Sequence, residues 1–283
     1  MIELRKYSDA SVFKQDVLPF LGQYEGENNL LLGVLMNLNE GDKPLYMGTV
    51  TKNGELSLVL LQTHPRQMIL SKSLPLTSEE IADLAKKLYE DYPNIPGLIG
   101  ESTLVTSLAE QIARLKHSDV HIHMKQRIYV LTEVKKPASA SGKLRQAEMN
   151  DFATMKEWIY HFCQDVGEPI SVEEAVQKAE EMIEKKRLYV WDTDGKLVSM
   201  ACWARPTKTN VTVGFVYTPP KERKKGYASD CVAALTQHLL DSGYNTVSLY
   251  TDLANPTSNK IYMEIGYEPV MDSMVVLFRK ELC

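Results

Sequence analysis

The chain has 283 residues, 44% of them hydrophobic and 24% charged, with a formal net charge of -5. That length exceeds the usual size of one compact domain and supplies enough apolar residues for two cores, so two domains are expected. An isoelectric point near 5.8 excludes a general attraction to nucleic acid or anionic membrane and confines any basic site to a local cluster.

The opening "MIELRKYSDA" has no apolar core of signal-peptide length, and no later apolar run is long enough to span a membrane. A cytoplasmic protein with no membrane or nucleic-acid partner is expected. In the first half, "LYMGTVTKNGELSLVLLQTHPRQMILS" reads as strands around a turn at Asn53 and Gly54. A helix ("SEEIADLAKKLYEDY"), a short strand ("GLIGE"), a second helix ("TLVTSLAEQIARLK") and a closing strand ("RIYVLTEV") follow. Glu27, Asn28 and Asn29 read as a helix cap. His121 and His123 look like paired ligands, but strand alternation explains them and further ligands are missing, so no metal is expected.

"EVKKPASASGK" breaks the composition with nothing to bury, which places a linker at 135–142 between a domain at 1–134 and one at 143–283. Leu144 to Ala147 reads as a strand, and Asn150 or Asp151 caps a helix with Phe152, Met155, Trp158 (or Ile159) and Phe162 at helical spacing. Ser171 and Glu174 form a capping box for the next helix. "RLYVWDTDGKLVSMACWARP" is a hairpin turning at Asp194 and Gly195, and "NVTVGFVYT" is a third strand. Tyr227, Cys231, Leu235 and Leu239 are spaced as in a helix that Gly243 stops; then come a strand, a short helix ended by Gly266, and a last strand. The order β-α-α-β-β-β-α-β-α-β predicts an α/β class with a mixed sheet (α+β mixed sheet) and helices packed on it. The first half repeats part of this order without sharing a motif, which points to internal duplication. Cys163, Cys202, Cys231 and Cys283 form no CxxC pair and read as reduced thiols.

"PPKERKKGYASD" lies between a strand end and a helix start. The amides of Lys224, Lys225, Gly226, Tyr227, Ala228 and Ser229 include the unsatisfied donors of a helix N-terminus, where the helix dipole adds about half a positive charge and diphosphates bind. Gly226 and Ala228 allow close approach, Ser229 offers a hydroxyl, and Arg223, Lys224 and Lys225 add cations. A solvated basic loop at the start of a surface helix fits the same residues. Neither a dinucleotide fingerprint nor a P-loop is present.

"VYTPPKERKKGYAS" resembles the GNAT superfamily of acyl-CoA-dependent N-acetyltransferases, whose [R/Q]-x-x-G-x-[G/A] signature Arg223, Gly226 and Ala228 fill. "NPTSNKIYMEIGYEPV" is similar to the family's fourth motif, with Asn255, Ser258, Tyr262, Gly266 and Tyr267 at its positions. The likeness covers about Lys143 to Lys280 and implies the GNAT fold, in two tandem GNAT-like domains of which the first, lacking R-x-x-G-x-A, is degenerate. It also implies acetyl-CoA as co-substrate: pyrophosphate on the amides of Lys224 to Ser229, pantetheine along Val216, Tyr217 and Thr218 in a splayed strand, and Asn255 and Asn259 beside it. Glu27, Asn28 and Asn29 then become alternative contacts in an acceptor cleft.

Direct attack on a thioester needs a neutral amine, and at pH 7 only about one lysine-like amine in a thousand is unprotonated. The resemblance implies backbone N–H groups as oxyanion donors and Tyr262 as the acid that returns a proton to the thiolate; a buried helix tyrosine is the plain alternative. "NVTVGFVYT" carries no acidic residue, so no base is named; Asp252 and Glu264 are the carboxylates to test. Cys202 and Trp203 read as acceptor-pocket lining or as packing. Two readings stand: an N-acetyltransferase acting on a small-molecule or protein amine, and a non-catalytic acyl-CoA sensor. Monomer and homodimer are both open.

Overall fold

A computed structural model describes residues 1–39, 41–139 and 141–280. In chain order the first half forms β1 (Ile2–Lys6), α1 (Ala10–Leu21), α2 (Asn29–Met36), β2 (Tyr46–Lys52), β3 (Glu55–Gln62), β4 (Met68–Leu70), α3 (Ser78–Asp91), β5 (Gly97–Glu101), α4 (Ser102–Lys116) and β6 (Ser118–Leu131). The second forms β7 (Lys143–Gln146), α5 (Phe152–Asp165), α6 (Val172–Glu184), β8 (Leu188–Thr193), β9 (Lys196–Ala204), β10 (Asn210–Tyr217), α7 (Tyr227–Asp241), β11 (Thr246–Asp252), α8 (Pro256–Ile265) and β12 (Glu268–Lys280). Every element expected after the linker is present, in the expected order.

The chain divides into two compact units, one of Met1–Ile128 with Thr251–Asn255 and Pro269 onward, the other of Tyr129–Tyr250 with Pro256–Glu268. In the first, strands run in the order β1-β2-β3-β4-β5-β12, with β4 and β5 parallel. The last strand, grouped with the second half in the sequence, hydrogen-bonds to β5 here, Met274 opposite Gly100. Both sheet faces are covered: Leu58 and Leu60 pack with Leu84, Leu98 and Leu108, while Val59 and Leu61 pack with Phe13, Val17 and Leu31. Two buried faces explain why β3 reads as an apolar run and not as an alternation.

The second unit has the order β11-β10-β9-β8-β7. Val211, Val213, Val247 and Leu249 face Cys231, Leu235 and Tyr262 of α7 and α8, and Leu188, Val190, Met200 and Cys202 face Met155, Ile159 and Ala179 of α5 and α6. The capping box of Ser171 and Glu174 is present, with reciprocal bonds of 3.1 and 2.7 Å. The segment read as a linker is hydrogen-bonded to α7 and α8. The N–H groups of Lys135 and Lys136 donate to Ile265 O, and Ser139 N and Oγ donate to Asp230 at 3.0 and 2.5 Å. At Gly266, φ is +120° and a Cβ would come 2.8 Å from Glu133 O, so only glycine lets this segment cross the end of α8. Ala140 and Cys283 lie outside the described residues.

Asn28 precedes α2 but makes no cap with its side chain; it donates to Leu21 O and accepts from Lys72 N at 2.7 Å, joining two loops. His121 and His123 are strand residues of β6. Among the described residues no group of His, Cys, Asp or Glu is arranged to hold a metal, and no helix is long and apolar enough to cross a membrane.

Candidate functional site

The site grows from β10. Its antiparallel pairing with β9 runs through Gly214 opposite Cys202 and resumes at Tyr217 opposite Met200, so three steps on β10 answer two on β9. The extra residue is a β-bulge, and Phe215 within it has φ +50°. Phe162 of α5 packs on Phe215 at 4.9 Å between ring centroids, and Trp158 packs on Tyr217 at 5.9 Å. On its other edge, β10 pairs in parallel with β11 from Asn210 opposite Thr246 to Val213 opposite Leu249, and the ladder stops there although β10 continues to Tyr217. The expected parting of these strands is therefore present, next to the bulge.

Beyond β10 the chain makes a short 3-10 turn at Pro220–Glu222, then Lys224 and Gly226 take left-handed backbone at φ +65° and +88°. Gly226 is the N-cap of α7, and no side chain caps that end. The first intrahelical bond, Asp230 N–H to Gly226 O at 3.0 Å, leaves the amides of Tyr227, Ala228 and Ser229 at the helix mouth. Residues 223–226 are exposed, and a Cβ on Gly226 would meet no protein atom within 4 Å. An uncapped positive helix end facing open space fits a diphosphate.

The cations of this turn differ from the sequence expectation. Arg223 donates to Asp165 at 2.7 Å and to Thr218 O at 2.9 Å, and its guanidinium lies 5.7 Å from the Tyr217 ring. Lys225 donates to Glu222 at 2.9 Å, and Lys196 reaches the other oxygen of the same carboxylate at 2.5 Å. Arg223 and Lys225 thus brace the turn from within, and Lys224 has no ion pair among the described residues. Sequence reasoning missed the local Glu222–Lys225 pair, and nothing near Lys196 or Asp165 marks their partners 26 and 58 residues further on.

Tyr262, on α8, is 8% exposed; burial pushes its phenol up to about 12 against a weaker opposing hydrogen bond with Ser258. Its ring packs edge-on to Tyr267 at 6.1 Å. Asn259 accepts from Tyr129 Oη at 2.9 Å. Asn255 falls in the segment grouped with the first unit, its N–H bonded to Asp252 O. The main-chain and hydroxyl oxygens of Thr218 are engaged by Arg223 and Ser199, whereas Val216 is half-buried in the bulge.

Residues 152–267 match the sequence model of the acetyltransferase (GNAT) family. Residues 152–267 therefore carry a GNAT family domain. An acetyltransferase of the GNAT family from Colwellia psychrerythraea shares 15% identity and a TM-score of 0.59 over 98% of both chains. A Drosophila protein gives 14% and 0.66 over 98% of this chain and 99% of its own. A tandem GNAT protein from the clavulanic acid biosynthesis pathway gives 12% and 0.54, covering 99% of this chain and 98% of its own. These likenesses show the fold, a mixed α/β GNAT fold in tandem along the whole chain. No curated protein matches.

Within the GNAT domain, the residues considered as bases have other partners. Glu264 pairs with Lys136 at 2.8 Å, which holds its carboxyl below the usual range, and Asp252 Oδ1 accepts from Ala254 N at 2.8 Å. Burial pushes the Cys202 thiol up to about 12, and it donates to Trp203 O at 3.2 Å. That thiol packs between sheet and helix, where burial disfavours the thiolate. In the first half, β4-α3-β5 repeats the order β10-α7-β11, but α3 begins differently. Thr77 and Glu80 close a capping box at 3.2 and 2.8 Å, with Glu79 and Glu80 in the first turn. Its helix end is filled and negative where that of α7 is open.

Proposed function

We propose that the GNAT domain transfers an acetyl group from acetyl-CoA to a primary amine by direct attack in a ternary complex. The observation that carries this is the uncapped N-terminus of α7 at Gly226 beside a strand pair that parts after Val213 and Leu249. The amides of Lys224 to Ser229 would hold the pyrophosphate, and the backbone of Val216 and Tyr217 would receive the pantetheine amides. Acetyl-CoA supplies the thioester. Backbone N–H groups freed where β10 leaves β11 would receive the developing oxyanion.

Tyr262 is the proton donor in this scheme. A phenol near 12 stays protonated at neutral pH, and full transfer to a thiolate of ordinary pKa, about 8.5, is uphill by roughly 5 kcal/mol. Its role is therefore to donate a hydrogen bond that stabilises the leaving sulfur, with solvent completing the protonation. The filled, acidic start of α3 supports a first domain that has kept the GNAT outline and lost the cofactor. Free, buried thiols at Cys163, Cys202 and Cys231 support a reducing, cytoplasmic setting.

Calorimetric titration with acetyl-CoA, CoA and ATP tests the reading, repeated on Gly226→Glu, whose carboxylate enters the phosphate position. Binding of both CoA species but not ATP, lost in the variant, supports the site; failure of the parent to bind either ends it. A second reading, a non-catalytic acyl-CoA sensor, is favoured by the lack of an acidic side chain on β10 and by the partners of Glu264 and Asp252. Tight acetyl-CoA binding with no thiol release across a panel of primary amines would select it.

A further inference from the structure

Parallel strands covered on both faces are expected to be apolar throughout. Here β10 and β11 alternate: Val211, Val213, Val247 and Leu249 face α7, while Asn210, Thr212 and Ser248 occupy the opposite face at 0, 2 and 0% exposure. Such burial is unfavourable unless each polar atom is satisfied, and it is satisfied across the strand pair. Asn210 Nδ2 donates to Thr246 Oγ1 at 2.8 Å, Ser248 Oγ donates to Asn210 Oδ1 at 3.0 Å, and Thr212 Oγ1 lies 3.0 Å from Ser248 Oγ. With the Ser248 hydroxyl proton on its shorter acceptor contact, to Asn210 Oδ1, the Thr212 hydroxyl is the donor to Ser248. The Thr212–Ser248 contact lies on the rung before the ladder stops.

We propose that Thr212, Ser248 and Asn210 are positioning residues that fix the point at which β10 and β11 part, and through it the seat of the thioester. Apolar side chains would hold the two strands together without specifying which rung is last. A donor chain that closes in one register does specify it, because a slip of one residue displaces a strand by roughly 3.3 Å and turns its side chains to the wrong face. The proposal rests on the reading of the strand gap as the acyl-CoA site.

The test compares Thr212→Val, Ser248→Ala and the hydroxyl-keeping Thr212→Ser in the full-length protein. Amide hydrogen exchange is read at Val213, at Leu249 and, as an internal control, at Leu235 inside α7; acetyl-CoA and CoA are titrated into each variant. In the Val and Ala variants, exchange at Val213 and Leu249 should rise about tenfold with Leu235 unchanged, and acetyl-CoA should bind about tenfold more weakly while CoA stays within about twofold. Thr212→Ser should match the parent in both. Exchange that rises equally at all three amides, or not at all, overturns the proposal, as does an equal loss of both ligands. A parent that binds neither ligand fails the functional reading separately, and the exchange data still decide whether the chain sets the last rung.

Discussion

Lys196 Nζ, on the β8–β9 hairpin, lies 2.5 Å from Glu222 Oε1, and the same nearly buried carboxylate accepts from Lys225 through its second oxygen. An acid beneath a turn proposed to bind diphosphate would oppose the ligand's charge, yet here it orders two lysines. Glu222→Ala should weaken acetyl-CoA binding about tenfold, because two cations and the turn lose their fixed positions. If charge alone mattered, binding would tighten, so a titration at two salt concentrations decides the sign. The Lys196 and Lys225 bonds hold the Glu222 carboxyl below its ordinary value. Its stabilising effect is therefore complete above that ordinary value and is lost as pH falls through the lower folded one.

Gly226 separates fold from function. At φ +88° a side chain is strained, although the space beside it is open. Gly226→Ala should cost about 1 kcal/mol in urea unfolding and yet abolish detectable CoA binding, since the methyl stands where the phosphate approaches. A variant that unfolds earlier but binds CoA normally would remove Gly226 from the site.

The second half was legible because its elements are local: the Ser171 capping box, the Asp194–Gly195 turn and the fourfold spacing after Gly226 each announce themselves within a few residues. The first 44 residues were not: β1 and α1 went unread, and of α2 only its start at Glu27 to Asn29 was read. Helix α1 contains Pro19, and α2, "NLLLGVLM", is apolar on every side and so shows no period. In the site, the turn and its glycine were readable, but the duties of its cations were not. Arg223 meets Asp165, 58 residues earlier, and a local pattern holds no trace of such a pair.

Arg145 joins β7 to both Asp151 and Asp192, with bonds of 2.7 and 3.0 Å to the first and 3.0 Å to the second. Both carboxylates are nearly buried, and both are held below their ordinary values chiefly by Arg145. Arg145→Met strands two acids and should cost about 3 kcal/mol in urea unfolding at pH 7. The contribution is present above an ordinary aspartate value of about 3.9 and disappears as pH falls through the depressed ones. The gap between parent and variant should therefore close on acidification, and a gap constant from pH 7 to about pH 3 would contradict the assignment.

Cys202 tests the chemical route. With its thiol pushed up to about 12 by burial and its S–H donated to Trp203 O, it is a poor nucleophile at neutral pH. Cys202→Ala should keep turnover within about threefold while costing stability through the lost packing against Met155 and Met200. Mass spectrometry after acetyl-CoA treatment should show no acetylated Cys202; a hydroxylamine-sensitive adduct there would replace direct transfer with a two-step route.

Tyr262→Phe removes only the hydroxyl from a ring packed against Tyr267 and the apolar core of the GNAT domain. Acetyl-CoA affinity should stay within about twofold, and kcat should fall about a hundredfold, the size of one lost charge-stabilising donor at a developing anion. Because burial lifts the phenol to about 12, the parent's activity should not decline on a limb near pH 10, where an exposed tyrosine ionises. A limb near pH 10 that vanishes in the variant would mean that the phenol titrates as if in water, and an unchanged kcat would return Tyr262 to the core as a packing residue.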